Sequence, residues 1–210
     1  MRLIERLHGW HHHNRRLRVL SRRMAALIPE DARVLDVGCG DGLLTRRIGD
    51  CRRDIEVSGV DVMVRANTHV PVQAFDGQEI PHADGSFDAV MLVDVVHHAE
   101  DPVVLLREAA RVARSSVLLK DHTLRGNLAG PVLAFMDRTS NHRHGVHSPC
   151  NYFTPAQWRA AISELPLAVD VWDTDLALYP WGSRWLFERS LHFVARLNVA
   201  SAPARPTSRR

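Results

Sequence analysis

The feature that most constrains this chain is a glycine-rich turn placed between a strand-like run and a helical segment. The apolar run 33–37 is followed by three glycines spaced by two residues, and helical residues begin at Leu43. Glycine permits a sharp turn and lets a ligand approach the backbone, because no Cβ stands in the way. This order predicts a strand–turn–helix unit with a ligand site at the turn.

Further strand-like runs alternate with helical segments along the first 121 residues. Predicted strands cover 55–61, 70–75, 87–93 and 117–120, with a helix at 102–113. Strands that alternate with helices form a parallel sheet with right-handed crossovers and helices on both faces. The sequence therefore predicts an α/β fold.

Composition predicts one soluble globular domain. The chain has 210 residues, of which 45% are hydrophobic and 24% charged, and no apolar run reaches the ~18 residues of a membrane-spanning helix. Three cysteines without CxxC spacing argue against a disulfide framework. No apolar segment of signal-peptide length opens the chain, so we expect a cytoplasmic protein. The net charge of +3 is too small to indicate a nucleic-acid partner, and we expect none.

Acidic residues lie at or just after the ends of three successive predicted strands: Asp36, Asp61 and Asp76. A carboxylate at Asp36 repels a pyrophosphate but attracts a cationic amine or a sulfonium, which disfavours a nicotinamide-dependent enzyme. Carboxylates at Asp61 and Asp76 can accept hydrogen bonds from ribose hydroxyls and from an adenine amine. The alternative is that each acid caps a helix or is solvated in a loop.

The ordered motifs of residues 30–121 resemble those of class I S-adenosylmethionine-dependent methyltransferases, in the type 11 small-molecule group. The matching segments are VLDVGCGDG (34–42), GVD (59–61), FDGQEIPHADGSFDAV (75–90), DVVHHAEDP (94–102) and LLREAARVAR (105–114). The resemblance implies a single Rossmann-like domain with a seven-stranded, mostly parallel sheet. It also implies methyl transfer from S-adenosylmethionine to a small organic acceptor at oxygen or carbon, with S-adenosylhomocysteine as product.

The resemblance further implies which residues contact the cofactor. Asp36, Leu92 and Val93 would lie near its methionyl part, Asp61 would bind the ribose, and Asp76 would bind the adenine amine. The complete set implied to bind the cofactor is Asp36, Gly38, Cys39, Gly40, Asp61, Val62, Asp76, Gly77, Leu92 and Val93. Gly38 and Gly40 are expected to pack under the cofactor.

Histidines after the fourth and fifth strands are the candidate catalytic bases. An ordinary histidine pKa of about 6.5 suits proton removal near neutral pH. The candidate bases are His98, His122 and His147, and Asp121 can orient one of them. Each histidine also has a structural or solvated alternative, and some family members rely on positioning alone. We expect no bound metal, although Asp121, His122 and the histidines of the 142–147 loop are ligand types that can converge on one.

The predicted domain organisation has three parts. Residues 1–29 form a helical lid over the cofactor, residues 30–200 form the methyltransferase domain with a substrate-side insertion at 122–153, and residues 201–210 form a disordered tail.

Several further elements are predicted. The N-terminal helix begins near Asn14, after a solvated His11–His13 lead-in. Other predicted elements are helices at 128–138 and 154–165 and strands near 168–173 and 191–197.

Three alternative roles are open for the apolar residues Trp181, Trp185, Leu186 and Phe187. The alternatives are packing under the sheet, lining a hydrophobic substrate pocket and forming the contact of a homodimer.

Two other functions stay open at this stage. One is methylation of RNA or another macromolecule through the arginine-rich N-terminal helix, which strong salt dependence would reveal. The other is a non-catalytic cofactor-binding regulator or partner subunit, marked by cofactor binding without turnover.

Overall fold

Helices and strands alternate along most of the chain. The computed structural model describes residues 2–126, 129–134, 151–179 and 191–200, with side chains from Asn14 onward. The elements are α1 (Arg2–Leu27), β1 (Arg33–Val37), α2 (Leu43–Cys51), β2 (Glu56–Asp61), β3 (Val72–Ala74), β4 (Phe87–Val93), a 3₁₀ turn (Val96–His98), α3 (Pro102–Val112), β5 (Ala113–His122), α4 (Pro155–Ser163), β6 (Leu167–Asp173) and β7 (His192–Val199). Residues 129–134 are also helical. Within these ranges, none of the helices has the length and hydropathy needed to cross a membrane.

The described strands form one seven-stranded sheet in the order β3-β2-β1-β4-β5-β7-β6. Strand β7 is antiparallel to both of its neighbours, and the other pairings are parallel. The predicted α/β class and mostly parallel sheet are therefore confirmed. The chain passes from β1 outward to β3 and then returns to β4 on the other side of β1. Ligands of open α/β sheets bind at such a switch point, beyond the carboxyl ends of the two strands.

Helices cover both faces of the sheet. On one face, which we call the α1 face, α1 and α2 bury Met24 and Ile48 against the strands. On the opposite α3 face, α3 and α4 bury Leu106 and Trp158. The two cores fix the sheet between the helical layers, so the carboxyl ends of β1 and β4 are held rigidly.

The arginine that follows the last residue of α2 fixes the C-terminal end of α1. The last carbonyl groups of a helix lack partners within the helix. Arg52 supplies them, because its guanidinium donates to the carbonyl oxygens of Ala25, Ile28 and Pro29. Asp54 in turn accepts from Arg52 at 2.5 and 2.8 Å. These bonds hold α1 against the domain.

The helix starts follow ordinary capping chemistry. Asp101 accepts hydrogen bonds from the N–H groups of the first turn of α3, with Pro102 at the first helical position. Thr154 and Gln157 form a reciprocal capping box at α4. The predicted helix start at Thr154 is therefore confirmed.

The structure corrects several predicted boundaries. Helix α1 begins at Arg2, so a start near Asn14 with a separate histidine lead-in is wrong. Arginine and leucine favour helix, and histidine is tolerated in one. Strand β5 covers Ala113–His122 instead of 117–120, because it pairs with both β4 and β7. Strand β3 is shorter than predicted and covers Val72–Ala74.

Other predictions lie outside the described residues. The helix predicted at 128–138 is confirmed at 129–134 only. The 142–147 histidine loop, the apolar 181–187 cluster and the 201–210 tail are not described, and much of the 122–153 insertion is not either. The late strands are confirmed at Leu167–Asp173 and His192–Val199.

Candidate functional site

A cavity of about 170 Å³ lies at the switch point of the sheet. The glycine turn after β1, the end of β4 and the α1 helix enclose it. Its lining includes Arg16, Leu17, Asp36, Gly38, Val93 and Asp94. The cavity therefore lies where the sequence placed the ligand site, and α1 closes one side of it.

The glycines of the turn have different roles. Gly38 and Gly40 both adopt left-handed φ, at 73° and 62°. A Cβ added to Gly38 would lie 2.3 Å from the Val95 side chain, whereas a Cβ added to Gly40 would meet nothing within 4 Å. The backbone of Gly40 therefore has an open side that a ligand can approach. Gly38 has a packing role against Val95 that the sequence did not reveal.

Asp36 lines the cavity and has one carboxylate oxygen without a hydrogen-bond partner in the described structure. The residue is 3% exposed, and its Oδ2 accepts a hydrogen bond from the Thr45 hydroxyl at 2.5 Å. Its Oδ1 is buried and has no hydrogen-bond partner among the described residues. Burial raises the pKa of Asp36 to about 7, the Thr45 bond opposes this rise, and the charge of Asp61 adds to it. Such an oxygen is suited to a cationic group, which would satisfy both its charge and its hydrogen bonding.

Asp61 holds the glycine turn from the neighbouring strand. Its Oδ2 accepts from the Gly40 N–H at 2.7 Å, and its Oδ1 accepts from the Met63 N–H at 2.9 Å. The carboxylate thus lies directly beside the open backbone of Gly40. Part of its bonding is therefore structural, although neither N–H group belongs to a helix.

Asp76 shapes the loop after β3. Its Oδ1 accepts from the N–H groups of Gln78 and Glu79, both at 2.8 Å, and these bonds lower the pKa of Asp76. The adjacent Gly77 has φ 87°, and a Cβ there would lie 3.3 Å from Val62. The loop after β2 therefore packs against the loop after β3, with Val62 next to Gly77.

Some of the remaining residues predicted to contact the cofactor line the cavity, and others lie in the core. Cys39 lines the cavity and contacts Gly59, where a Cβ would lie 2.3 Å from the Cys39 sulfur. Burial raises the pKa of the Cys39 thiol, so it is uncharged. Val93 lines the cavity, but Leu92 is fully buried in the core of the α3 face. The Leu92 side chain therefore points away from the cavity.

An ionic cluster that the sequence analysis missed lies at the cavity wall. Asp94 follows β4 with a left-handed φ of 54°. Its Oδ1 accepts from the Lys120 ammonium group and its Oδ2 accepts from the Arg16 guanidinium. Burial alone raises the pKa of Asp94, but the charges of Lys120 and Arg16 hold it well below its ordinary value. The only lysine in an arginine-rich sequence was the signal that could have found this cluster.

Asp121 and His122 are the last residues of β5, not loop residues after it. Asp121 is fully buried and accepts from the Val96 N–H at 3.1 Å, from His97 Nδ1 at 2.6 Å and from the His122 N–H at 2.6 Å. Burial raises the pKa of Asp121, but contacts with His97 and His122 outweigh it and lower the pKa. The histidine that Asp121 orients most directly is therefore His97.

His122 is a buried imidazole between two carboxylates. Its Nδ1 lies 3.4 Å from Asp121 Oδ1 and 3.6 Å from Asp94 Oδ1. Burial and the charge of Lys120 lower the pKa of His122, and the bond to Asp121 opposes them. A lowered pKa favours the uncharged imidazole, which is the protonation state that a general base needs.

The other histidines considered as bases differ in burial and position. His98 is partly buried, and its ring lies 3.9 Å from the His97 ring between centroids. His97 itself is 1% exposed and bonded to Asp121, which fits the structural alternative for that residue. His147 lies outside the described residues.

His97, Asp121 and His122 offer ligand atoms that lie within 4.8 Å of one another. These atoms already bond to each other, and Asp121 also accepts two backbone N–H groups. We therefore interpret the group as a hydrogen-bonded carboxylate–imidazole cluster, and the expectation of no metal stays a prediction.

Comparison with known proteins gives a consistent result. Residues 35–119 match the family model of a methyltransferase domain. The ubiquinone biosynthesis O-methyltransferase of Xanthomonas axonopodis pv. citri is 30% identical over 177 residues, which cover 76% of this chain and 72% of that enzyme. The 27-O-demethylrifamycin SV methyltransferase of Amycolatopsis mediterranei is 34% identical over 110 residues, which cover 45% of this chain but only 40% of that enzyme.

A solved structure shares the fold. The geranyl diphosphate C-methyltransferase from Streptomyces coelicolor A3(2), in complex with Mg²⁺, geranyl diphosphate and S-adenosylhomocysteine, has a TM-score of 0.65 and 13% identity. The similarity covers 86% of this chain and 76% of that one.

The sheet order and the acid-lined cavity beyond β1 and β4 define a Rossmann-like domain with a ligand site at the switch point of its sheet. The chain belongs to the class I S-adenosylmethionine-dependent methyltransferases of the type 11 group. Its cofactor is S-adenosylmethionine, and the site fits it, because Gly40 has an open side and Asp36 has a buried acceptor for a cation. The predicted family, fold and cofactor are confirmed.

Proposed function

We propose that this enzyme methylates a small organic acceptor at an oxygen or carbon atom. The observation that carries the proposal is a buried histidine next to a residue of the cavity wall. Asp94 lines the cavity, and its Oδ1 lies 3.6 Å from the His122 imidazole. The relatives named above, two O-methyltransferases and one C-methyltransferase, support the same reaction class.

The cofactor would be held by the three strand ends. We assign its methionyl amine to Asp36 Oδ1, its ribose to Asp61 and its adenine amine to Asp76, with Gly40 beneath it. When bound, S-adenosylmethionine supplies a methyl group that its sulfonium has already activated. The carboxylates bind and orient this cation, and the apolar side of α1 excludes water from it.

His122 is the base that we favour for an oxygen acceptor. Its Nδ1 faces the carboxylates of Asp121 and Asp94. The other ring nitrogen, Nε2, takes the acceptor proton as the new bond to the methyl group forms. The two carboxylates then stabilise the imidazolium. His98 and His147 are the alternative bases, and a carbon acceptor of sufficient reactivity needs positioning alone.

Two neighbouring segments complete the proposed site. Helix α1 contributes Arg16 and Leu17 to the cavity, so residues 1–29 act as the lid. The aromatic ring of Tyr152 stacks on His97, with centroids 5.3 Å apart, and meets His122 edge-on at 5.9 Å. We assign Tyr152 to the wall of the acceptor pocket. A homodimer is a further part of the proposal, and sedimentation tests it.

The test is transfer of a radiolabelled methyl group into a fractionated cell extract. The extract is divided into a small-molecule filtrate, RNA and protein, and each fraction receives enzyme and labelled S-adenosylmethionine. We expect label in the small-molecule fraction and a loss of most of it with His122→Gln. Label in RNA alone, weakened by salt, would favour the macromolecular alternative. Cofactor binding with no label in any fraction would favour the non-catalytic one.

A further inference from the structure

Lys120 is the single lysine in a chain whose other 26 basic residues are arginines. It is fully buried in β5. Arginine carries a large planar head that stays charged in proteins, whereas lysine is compact and responds to its surroundings. The chain therefore uses its one lysine at a buried position where shape and protonation both matter.

The neighbours of Lys120 belong to the transfer site. Alternate residues of β5 face the α1 side, so Lys120 and His122 lie on one face. The Lys120 ammonium donates to Asp94 Oδ1 and lies 3.4 Å from His192 Nδ1, on the paired strand β7. His192 is 1% exposed, and its ring lies 4.7 Å from that of His122.

Within the part of the chain that the structure describes, the charges around this cluster balance when its histidines are neutral. The described charged and titratable groups that face Lys120 and His122 are Arg16 from α1, Asp94 after β4, His97 of the 3₁₀ turn, Asp121 of β5, Tyr152 before α4 and His192 of β7. Arg16 and Lys120 offset Asp94 and Asp121. A proton on His122 would add a third cation to a buried group, which is unfavourable.

We propose that Lys120 is a positioning residue of the methyl-transfer site, which fixes Asp94 at the cavity wall and keeps a proton off the neighbouring His122. The second part rests on the proposed function, in which His122 is the base. Burial lowers the pKa of His192 and His122, and Lys120 contributes to both. Lys120 thus acts through its neighbours and does not itself touch the reacting atoms.

The contact with Asp94 is tested by NMR on protein labelled with [¹³Cε]lysine. Because the chain has one lysine, one signal reports its titration. We expect a midpoint below the ~10.4 of a free lysine, because burial lowers the pKa of Lys120. Asp94→Asn should lower the midpoint further, since the carboxylate stabilises the ammonium. A midpoint that Asp94→Asn leaves unchanged would overturn the pairing.

The effect on His122 is tested with Lys120→Met, which keeps the length and removes the charge. Labelled histidine signals are followed against pH, and His122→Asn assigns the His122 signal. We expect the His122 midpoint to rise by about one pH unit in Lys120→Met. The control Leu118→Val perturbs the same strand face without touching a charge, and it should leave the midpoint in place. If Lys120→Met loses stability but its His122 midpoint stays at the wild-type value, the role of Lys120 is structural only.

Failure of this proposal and failure of the proposed function are distinguishable. Both titrations are measured on the free enzyme, so they do not depend on finding an acceptor. Once an acceptor is known, the acidic limb of the kcat/KM profile should move with the His122 midpoint. A midpoint that moves while the rate profile stays fixed would keep the charge effect of Lys120 and exclude His122 as the base.

Discussion

Replacement of Asp36 by asparagine should stabilise the fold while it weakens cofactor binding. The substitution keeps the shape and the hydrogen bond from Thr45 but removes a buried charge. Burial raises the pKa of Asp36 from 3.8 to about 7. An acid whose pKa is higher in the folded state destabilises the fold as pH rises between the two values. At about 1.4 kcal/mol per pKa unit, the ionised carboxylate costs the folded state about 4 kcal/mol at pH 8.

Urea unfolding at several pH values measures this cost. We expect Asp36→Asn to exceed the wild type by about 4 kcal/mol at pH 8 and by less than about 1 kcal/mol at pH 4. Thr45→Val should act in the opposite direction, because the Thr45 bond lowers the pKa of Asp36. A stability difference between Asp36→Asn and wild type that is the same at both pH values would refute the reasoning.

Calorimetry with S-adenosylmethionine measures the other half of the prediction. The wild type should bind about tenfold more weakly at pH 5 than at pH 6, because protonated Asp36 cannot pair with the methionyl amine. Asp36→Asn should bind weakly at both pH values. Wild-type affinity in Asp36→Asn would remove Asp36 from the cofactor site.

Three further substitutions test individual positions. Asp61→Ala should raise the cofactor Kd at least about tenfold, because a hydrogen bond to a charged group contributes about 1.5–3 kcal/mol. An unchanged Kd in calorimetry would exclude the ribose contact. Gly40→Ala should weaken cofactor binding more than it destabilises the fold, whereas Gly38→Ala should mainly destabilise the fold through the clash with Val95. Binding and unfolding are measured on both variants. A larger loss of binding in Gly38→Ala than in Gly40→Ala would contradict these roles. His122→Gln should lower kcat about a hundredfold with the cofactor Kd unchanged, and a wild-type kcat in rapid-quench assays would exclude it as the base.

The architecture was predictable because its determinants are local. Alternating strands and helices leave few topologies for a parallel sheet, and the glycine turn marks where its ligand binds. Asp36 was recognisable for the same reason, since an acid beside that turn has a clear electrostatic consequence. The acidic strand ends and the α4 cap at Thr154 followed from short motifs.

The ionic half of the site depends on pairing between distant residues. Lys120 and Asp94 lie 26 residues apart in sequence, and Arg16 reaches Asp94 from 78 residues away. A lysine or arginine in a sequence is ordinarily solvated, so its burial appears only once the strands are paired. The contact between Gly38 and Val95 was hidden for the same reason. Strand β5 continues through Asp121 and His122 because both residues pair with β7, which also appears only once the strands are paired.

A crystal structure of the enzyme with S-adenosylhomocysteine tests the central claim most directly. We predict that the ligand fills the cavity beyond β1 and β4, with its amine on Asp36, its ribose hydroxyls on Asp61 and its adenine amine on Asp76. In that complex the sulfur would face the side of the cavity where Asp94 and His122 lie. A ligand bound elsewhere, or one whose ribose and amine contact none of these carboxylates, would contradict it.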